Sequence, residues 1–193
     1  MRKIVAALLL TATLALAWLC LYAAKAPNPA TISLKDTTKH PFTVGLLVSK
    51  ELSEYGTTKE THTWIPVGEY TASLFEKNLP VVFKSVSKVD ARKPPQGIDL
   101  VVEPSIVKFD QVIPYPAYNP YRAKAVLHVD VYDREGNKLY AETVTGEFQT
   151  GKGMMSGFHA RGLMTETASN ALNDAVKQSL EGMQQSSEIK EYK

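Results

Sequence analysis

From Ala123 to Val131 every second residue is apolar. Ala123, Ala125, Leu127, Val129 and Val131 alternate with positions that include Lys124, His128 and Asp130. A period of two puts the two sets on opposite faces of an extended strand. The stretch therefore demands a sheet with one face buried and the other wet. Asp133-Arg134-Glu135-Gly136-Asn137 supplies turn chemistry behind it. Residues 138–149 then return as the hairpin partner.

Other segments supply the remaining layers. Residues 42–49, FTVGLLVS, form a compact β-rich run that reads as a buried strand. Residues 50–63 are polar and read as a surface loop. Pro66 suits the first turn of a helix, and Val67, Tyr70 and Leu74 fall on one face behind it. Pro80 ends that helix at Leu79. Residues 81–89 read as a strand. So do residues 98–102, with a continuation across Pro104 to Asp110. The last element is a long helix over residues 159–184. Its stripe is Met164, Ala168, Ala171, Ala175, Ser179 and Met183, widened by Leu172, Val176 and Leu180.

The order is β-α-β-β-β-β-α. It predicts an α+β fold: a mainly antiparallel sheet of about five strands with two helices packed on one face. The single domain spans residues 42–185, and the polar tail, 186–193, is expected to fray.

Residues 4–24 are different in kind. They form an uncharged run of 21 residues behind Arg2 and Lys3. About 20 apolar residues cross a bilayer as a helix, so this segment is a signal peptide or a signal anchor. Small-x-small cleavage chemistry occurs at Ala24-Lys25-Ala26, but Pro27 follows the cut. Cys20, the single cysteine, sits where a bacterial lipoprotein carries its lipid, although Leu19 stands where that pattern has a small residue. Cleaved, lipidated and anchored products all remain open. Arg2 and Lys3 stay cytoplasmic, so the rest is exported. Residues 25–41, with three prolines, read as a flexible tether.

Charge excludes one class of partner. Arg2 and Lys3 account for the whole formal net charge of +2. The exported part is balanced and gives no reason to expect nucleic acid. A lone cysteine permits no internal disulfide.

Catalytic signals are sparse. Gly146 to Lys152 has the G-x-x-x-x-G-K spacing of a phosphate-cradling loop. The next residue is Gly153, which lacks the hydroxyl that such a loop uses for magnesium, and the strand before it belongs to a hairpin. His40, His62, His128 and His159 are far apart, and none has a ligand at metal-binding spacing. His128 is read as a surface residue. No G-x-S-x-G is present. No catalytic residue, cofactor or metal is assigned. Residues 114–121, PYPAYNPY, are the best contact candidate, through Tyr115, Tyr118 and Tyr121. Met154, Met155 and Phe158, in and after a glycine-rich loop, are the others.

The export segment ending near a cysteine, the tether, VGLLVS, IDLVVEP, the VDVYDREGNKLY hairpin and the Ala-rich closing helix together resemble small bacterial cell-envelope lipoproteins. The YajG-like group and related outer-membrane assembly lipoproteins are similar in layout. That resemblance implies a periplasm-facing domain, tethered through residues 4–24 or a lipid on Cys20. It would act as a non-enzymatic accessory factor with an envelope protein as partner. The alternative expectation is a carrier of a lipid or other apolar ligand between sheet and helices, and a third is an extracytoplasmic hydrolase.

Overall fold

The computed structural model describes residues 27–36, 38–56, 65–112, 120–151 and 157–192, the side chains of 157–161 excepted. The strands are β1 (His40–Leu47), β2 (Phe83–Val89), β3 (Leu100–Val112), β4 (Arg122–Tyr132) and β5 (Lys138–Gln149). The helices are α1 (Lys50–Glu54), α2 (Val67–Asn78), α3 (Gly157–Gln185) and α4 (Ser187–Glu191), with a single 3-10 turn at Leu79–Val81.

The five strands make one sheet in the order β2-β1-β3-β4-β5. The fold class is α+β as expected, but the sheet is mixed. β1 pairs in parallel with both β2 and β3, whereas β3, β4 and β5 run antiparallel. The cause is connectivity. A parallel neighbour needs a crossover, and α1 and α2 supply one between β1 and β2. The connection from Asp90 to Asp99 supplies the second, carrying the chain from β2 past β1 to β3. The continuous buried run Val44–Leu46 in β1 fits a strand between two parallel neighbours, since such strands lose the alternation of a half-wet one.

Both long helices lie on the same face. Val44 and Leu46 of β1, Leu100 and Val102 of β3, and Ala125, Leu127 and Val129 of β4 join Leu74 and Phe75 of α2 and Leu172, Val176 and Leu180 of α3 in one core. Gly146 of β5 sets the spacing. A Cβ there would penetrate the Ala171 carbonyl oxygen and the Ala175 amide of α3. The alanine stripe of α3 thus lies directly on the β5 backbone. The helix also covers that edge of the sheet: Gln178 Nε2 donates to the Thr145 carbonyl at 2.9 Å, and the Glu147 N–H donates to Asp174 at 3.3 Å. An edge covered in this way is a poor template for a further strand.

Three segments behave differently from their sequence reading. Ser49 caps α1 by accepting from the Leu52 N–H at 3.1 Å, so part of the expected 50–63 loop is helical. The tail forms α4, capped by Ser186, with Ile189 fully buried and the Tyr192 ring edge-on to Phe42. The described part of the expected tether is docked. Ile32 and Leu34 are buried in the core, and the Ile32 N–H donates to Asn78 Oδ1 at 2.8 Å. Asn78 in turn donates to the Ala30 carbonyl at 3.0 Å, and Lys77 to the Pro29 carbonyl at 2.7 Å. Gln184 of α3 holds the far end through the carbonyls of Asp36 and Thr38.

Candidate functional site

Among the described residues no helix covers the opposite face of the sheet, which the connection from Asp90 to Asp99 crosses at one end, and its polar groups form a connected cluster. Strand register explains why. Glu103 of β3 lies directly across from Asp130 of β4, and Ser105 across from His128. Like charges facing each other in a ladder repel, and each carboxylate has recruited a cation. Arg92, from the connection that crosses β1, donates to Glu103 through two nitrogens, at 2.6 and 3.2 Å. Its guanidinium lies 5.0 Å from the centre of the Tyr132 ring. Lys138, at the start of β5, reaches Asp130 at 2.8 Å.

Asp130 is the hub. Beyond Lys138 it meets His128 Nε2 at 3.1 Å and the Tyr132 hydroxyl at 3.3 Å. Burial alone would raise its pKa, since its side chain is only 14% exposed. The Lys138 ammonium and the His128 ring outweigh that and hold the carboxyl below its ordinary value. The same burial pushes the Tyr132 hydroxyl up to about 12, helped by the charges of Asp130 and Glu103. His128 completes a line of three. With its proton on Nε2 the ring donates to Asp130, and its Nδ1, 2.8 Å away, accepts from the Thr143 hydroxyl.

A second pair closes one end of this face. Asp99 accepts from the Thr43 N–H at 2.8 Å and is bridged by Arg134 from the β4–β5 turn. Burial works against its charge, but those two donors keep its pKa low. Around this pair, residues 94–98 and Arg134 line a recess of about 290 Å³. Beside it a small apolar group, Val89, Val101 and Tyr132 with Leu47 and Ile98, packs under the crossing connection.

The arrangement offers charge and shape more readily than catalysis. Asp130, His128 and Thr143 stand in the acid–imidazole–hydroxyl order of a nucleophilic triad, yet the recess lies away from Thr143. Among the described residues no group of His, Cys, Asp and Glu is placed to hold a metal ion. Space between the sheet and the helices is taken by side chains such as Leu74, Phe75, Leu127 and Leu172, all at 0% exposure.

Of the residues singled out from sequence, Tyr121 is described. It is buried, and its backbone pairs twice with Thr150 at 3.0 Å, which ties β4 to the end of β5. Cys20, Tyr115, Tyr118, Met154, Met155 and the side chain of Phe158 lie outside the described residues. So do His62 and the His159 ring. The loop resembling a phosphate cradle has a structural explanation at its first glycine, since Gly146 is where α3 touches β5. Sequence reasoning missed Arg92, Asp99 and Arg134. Their signal was available in part: two acidic residues on the wet face of neighbouring strands need cations from nearby turns.

No family model and no curated protein matches the chain. Solved structures do. A Xanthomonas campestris protein assigned to the DUF330 family covers 82% of this chain and 95% of its own at 10% identity, with a TM-score of 0.52. That likeness establishes a shared fold. A candidate lipoprotein from Caulobacter crescentus is similar over 73% of this chain and 87% of its own, at 7% identity and a TM-score of 0.46. A minor lipoprotein from Acinetobacter baumannii is similar over 76% and 93%, at 8% identity and a TM-score of 0.43. None of the three descriptions names the YajG-like group. Among the described residues no helix is long and apolar enough to cross a membrane.

Proposed function

We propose that this chain is a non-enzymatic accessory protein of the bacterial cell envelope. It is held at a membrane through residues 4–24 or a lipid on Cys20, and it meets an envelope protein with the uncovered face of its sheet. The observation that carries this reading is the asymmetry of the sheet. One face is sealed by both long helices. The other presents the Arg92–Glu103 and Asp130–His128–Lys138 cluster beside the half-buried Leu47 and Ile98, which pack over the buried Val89, Val101 and Tyr132. Mixed charge around an apolar spot is the composition of a contact surface. The carrier alternative has less support, because fully buried side chains fill the layer a ligand would need.

Two measurements test the proposal. Intact mass of the membrane-extracted protein should give either a full-length chain or a lipidated chain beginning at Cys20. A soluble chain beginning at Lys25 or Pro27 would defeat the anchored reading. Photo-crosslinking residues placed at Lys124 on the open face and at Lys177 on α3 should give a discrete adduct at the first position only. A hydrolase is a second reading, favoured by the line Asp130–His128–Thr143. It requires ester hydrolysis that disappears in Thr143→Ala.

A further inference from the structure

The docked segment fixes which side of the domain faces the lipid. Residues 29–36 and Thr38 lie along the helical layer. Pro29 is held by Lys77, Ala30 and Ile32 by Asn78, and Asp36 and Thr38 by Gln184. The Tyr70 hydroxyl, bonded to Asn173 at 3.2 Å, closes α2 against α3 beside Ala30. The chain therefore leaves the domain on the outside of the helices, next to Lys77. The uncharged run ends at Ala24, five residues before Pro29. A fully extended chain covers at most about 3.6 Å per residue, so Pro29 stands within about 18 Å of the end of that run. If the hold is a lipid on Cys20, nine residues set the limit at about 32 Å.

We infer that the outer surface of α2 around Ser73 and Lys77 is the side apposed to the membrane, and that the charged face of the sheet is turned away from it. The inference rests on the anchored reading proposed above. The occupant of the helical side is a lipid surface, and the argument is the length of chain between the run and its first docked residue. Electrostatics plays little part. Lys77 is accompanied on the same helix by Glu69 and Glu76, so the short leash, at most about 18 Å from the end of the uncharged run, carries the apposition more than any attraction of α2 to anionic lipid. The arrangement leaves the cluster around Asp130 pointing outward, where another protein reaches it.

The test uses the full chain in vesicles of neutral lipid doped with a nickel-chelating lipid. Nitroxide labels are placed on Ser73→Cys and, separately, on Ser87→Cys of the open face, with the parent chain carrying Cys20 alone as background. A helix layered on a sheet makes the domain about 20 Å thick. The Ser73 label is expected to relax several-fold faster than the Ser87 label. Inserting 20 Gly/Ser residues after Ala26, with a root-mean-square span of about 25 Å, is expected to abolish the contrast while leaving the protein on the vesicles. Equal relaxation in the unmodified chain, or faster relaxation at Ser87, overturns the orientation and leaves the anchor standing. A chain that does not stay with the vesicles overturns both.

Discussion

Asn78→Ala removes the clasp on the docked segment. Asn78 is fully buried at the end of α2. Its Oδ1 accepts from the Ile32 N–H at 2.8 Å, and its Nδ2 donates to the carbonyls of Ala30 and Leu74 at 3.0 and 2.8 Å. If the segment stays docked in the variant, the Ile32 amide and the Ala30 carbonyl lose their partners. A buried polar group left unsatisfied costs about 1–3 kcal/mol, so that route costs at least about 2 kcal/mol. If the segment lets go, the polar groups recover water but Ile32 and Leu34 are exposed, at about 1.5–3 kcal/mol each, offset by the backbone freedom regained. The cheaper route prevails, and a loss of about 2 kcal/mol is expected. Urea unfolding reads the total, and hydrogen exchange at the Ile32 amide separates the routes. A lower midpoint with protection retained means the strained docked state. A lower midpoint with fast exchange at Ile32 means local release. A loss below about 0.5 kcal/mol with the Ile32 amide still protected would refute the clasp.

Gly146→Ala should destabilise the domain by about 3 kcal/mol, the upper end of overpacking costs, because the new methyl group meets α3 backbone that cannot swing aside. An unchanged denaturation midpoint would contradict the close approach of α3 to β5. Asp130 and Asp99 have folded-state pKa values below their ordinary ones, so each contributes stability above the unfolded value near 4 and loses it as pH falls through the folded value. Urea midpoints should therefore drop between about pH 5 and pH 2, and Asp130→Asn should make that drop shallower. A variant that keeps the parent's full acid slope would show that Asp130 is not a source of it. Tyr118→Ala is expected to leave folding intact, and loss of the thermal transition would mean that the loop is part of the core.

Much of the fold was legible because its strongest patterns are local. The Ala123–Val131 alternation became β4 with those five residues on the helical face, and Asp133 caps the predicted turn by accepting from the Glu135 and Asn137 amides at 2.9 and 2.8 Å. The α3 stripe from Met164 to Met183 is buried throughout. What escaped depends on contacts distant in sequence. Asp36 is a solvated carboxylate in a proline-containing stretch, and nothing near it announces that Gln184 will hold its carbonyl from 148 residues away. The same holds for Ile32 and Leu34, two apolar residues too few to read as an element until Asn78 is brought beside them. The parallel pairing of β1 with β3 was hidden in the same way, since the crossing connection that creates it is an irregular, proline-bearing turn. For the candidate site, the polar side of β4 was visible as Lys124, His128 and Asp130, but its partners come from three other segments.

The charges of the cluster around Asp130 and Glu103 are already paired before any partner arrives, and this sets what binding there would be like. Arg92 holds Glu103 with two bonds, and Lys138 and His128 share Asp130. Each carboxylate is only 14% exposed while its Arg or Lys partner remains half in water. A partner that buried the cluster under an apolar surface would strip water from Arg92 and Lys138 and gain little in return, since desolvating an ion pair costs as much as its attraction restores. A partner that brought its own carboxylates or carbonyls to the outer nitrogens of Arg92 and Lys138 would extend the cluster and keep every charge satisfied. Charge complementarity of that kind speeds association and selects partners more than it tightens the complex. Contact on this face should therefore weaken steadily as salt is raised past the point where the Debye length falls below about 8 Å. A contact that is indifferent to salt would have to rest on the half-buried Leu47 and Ile98 instead.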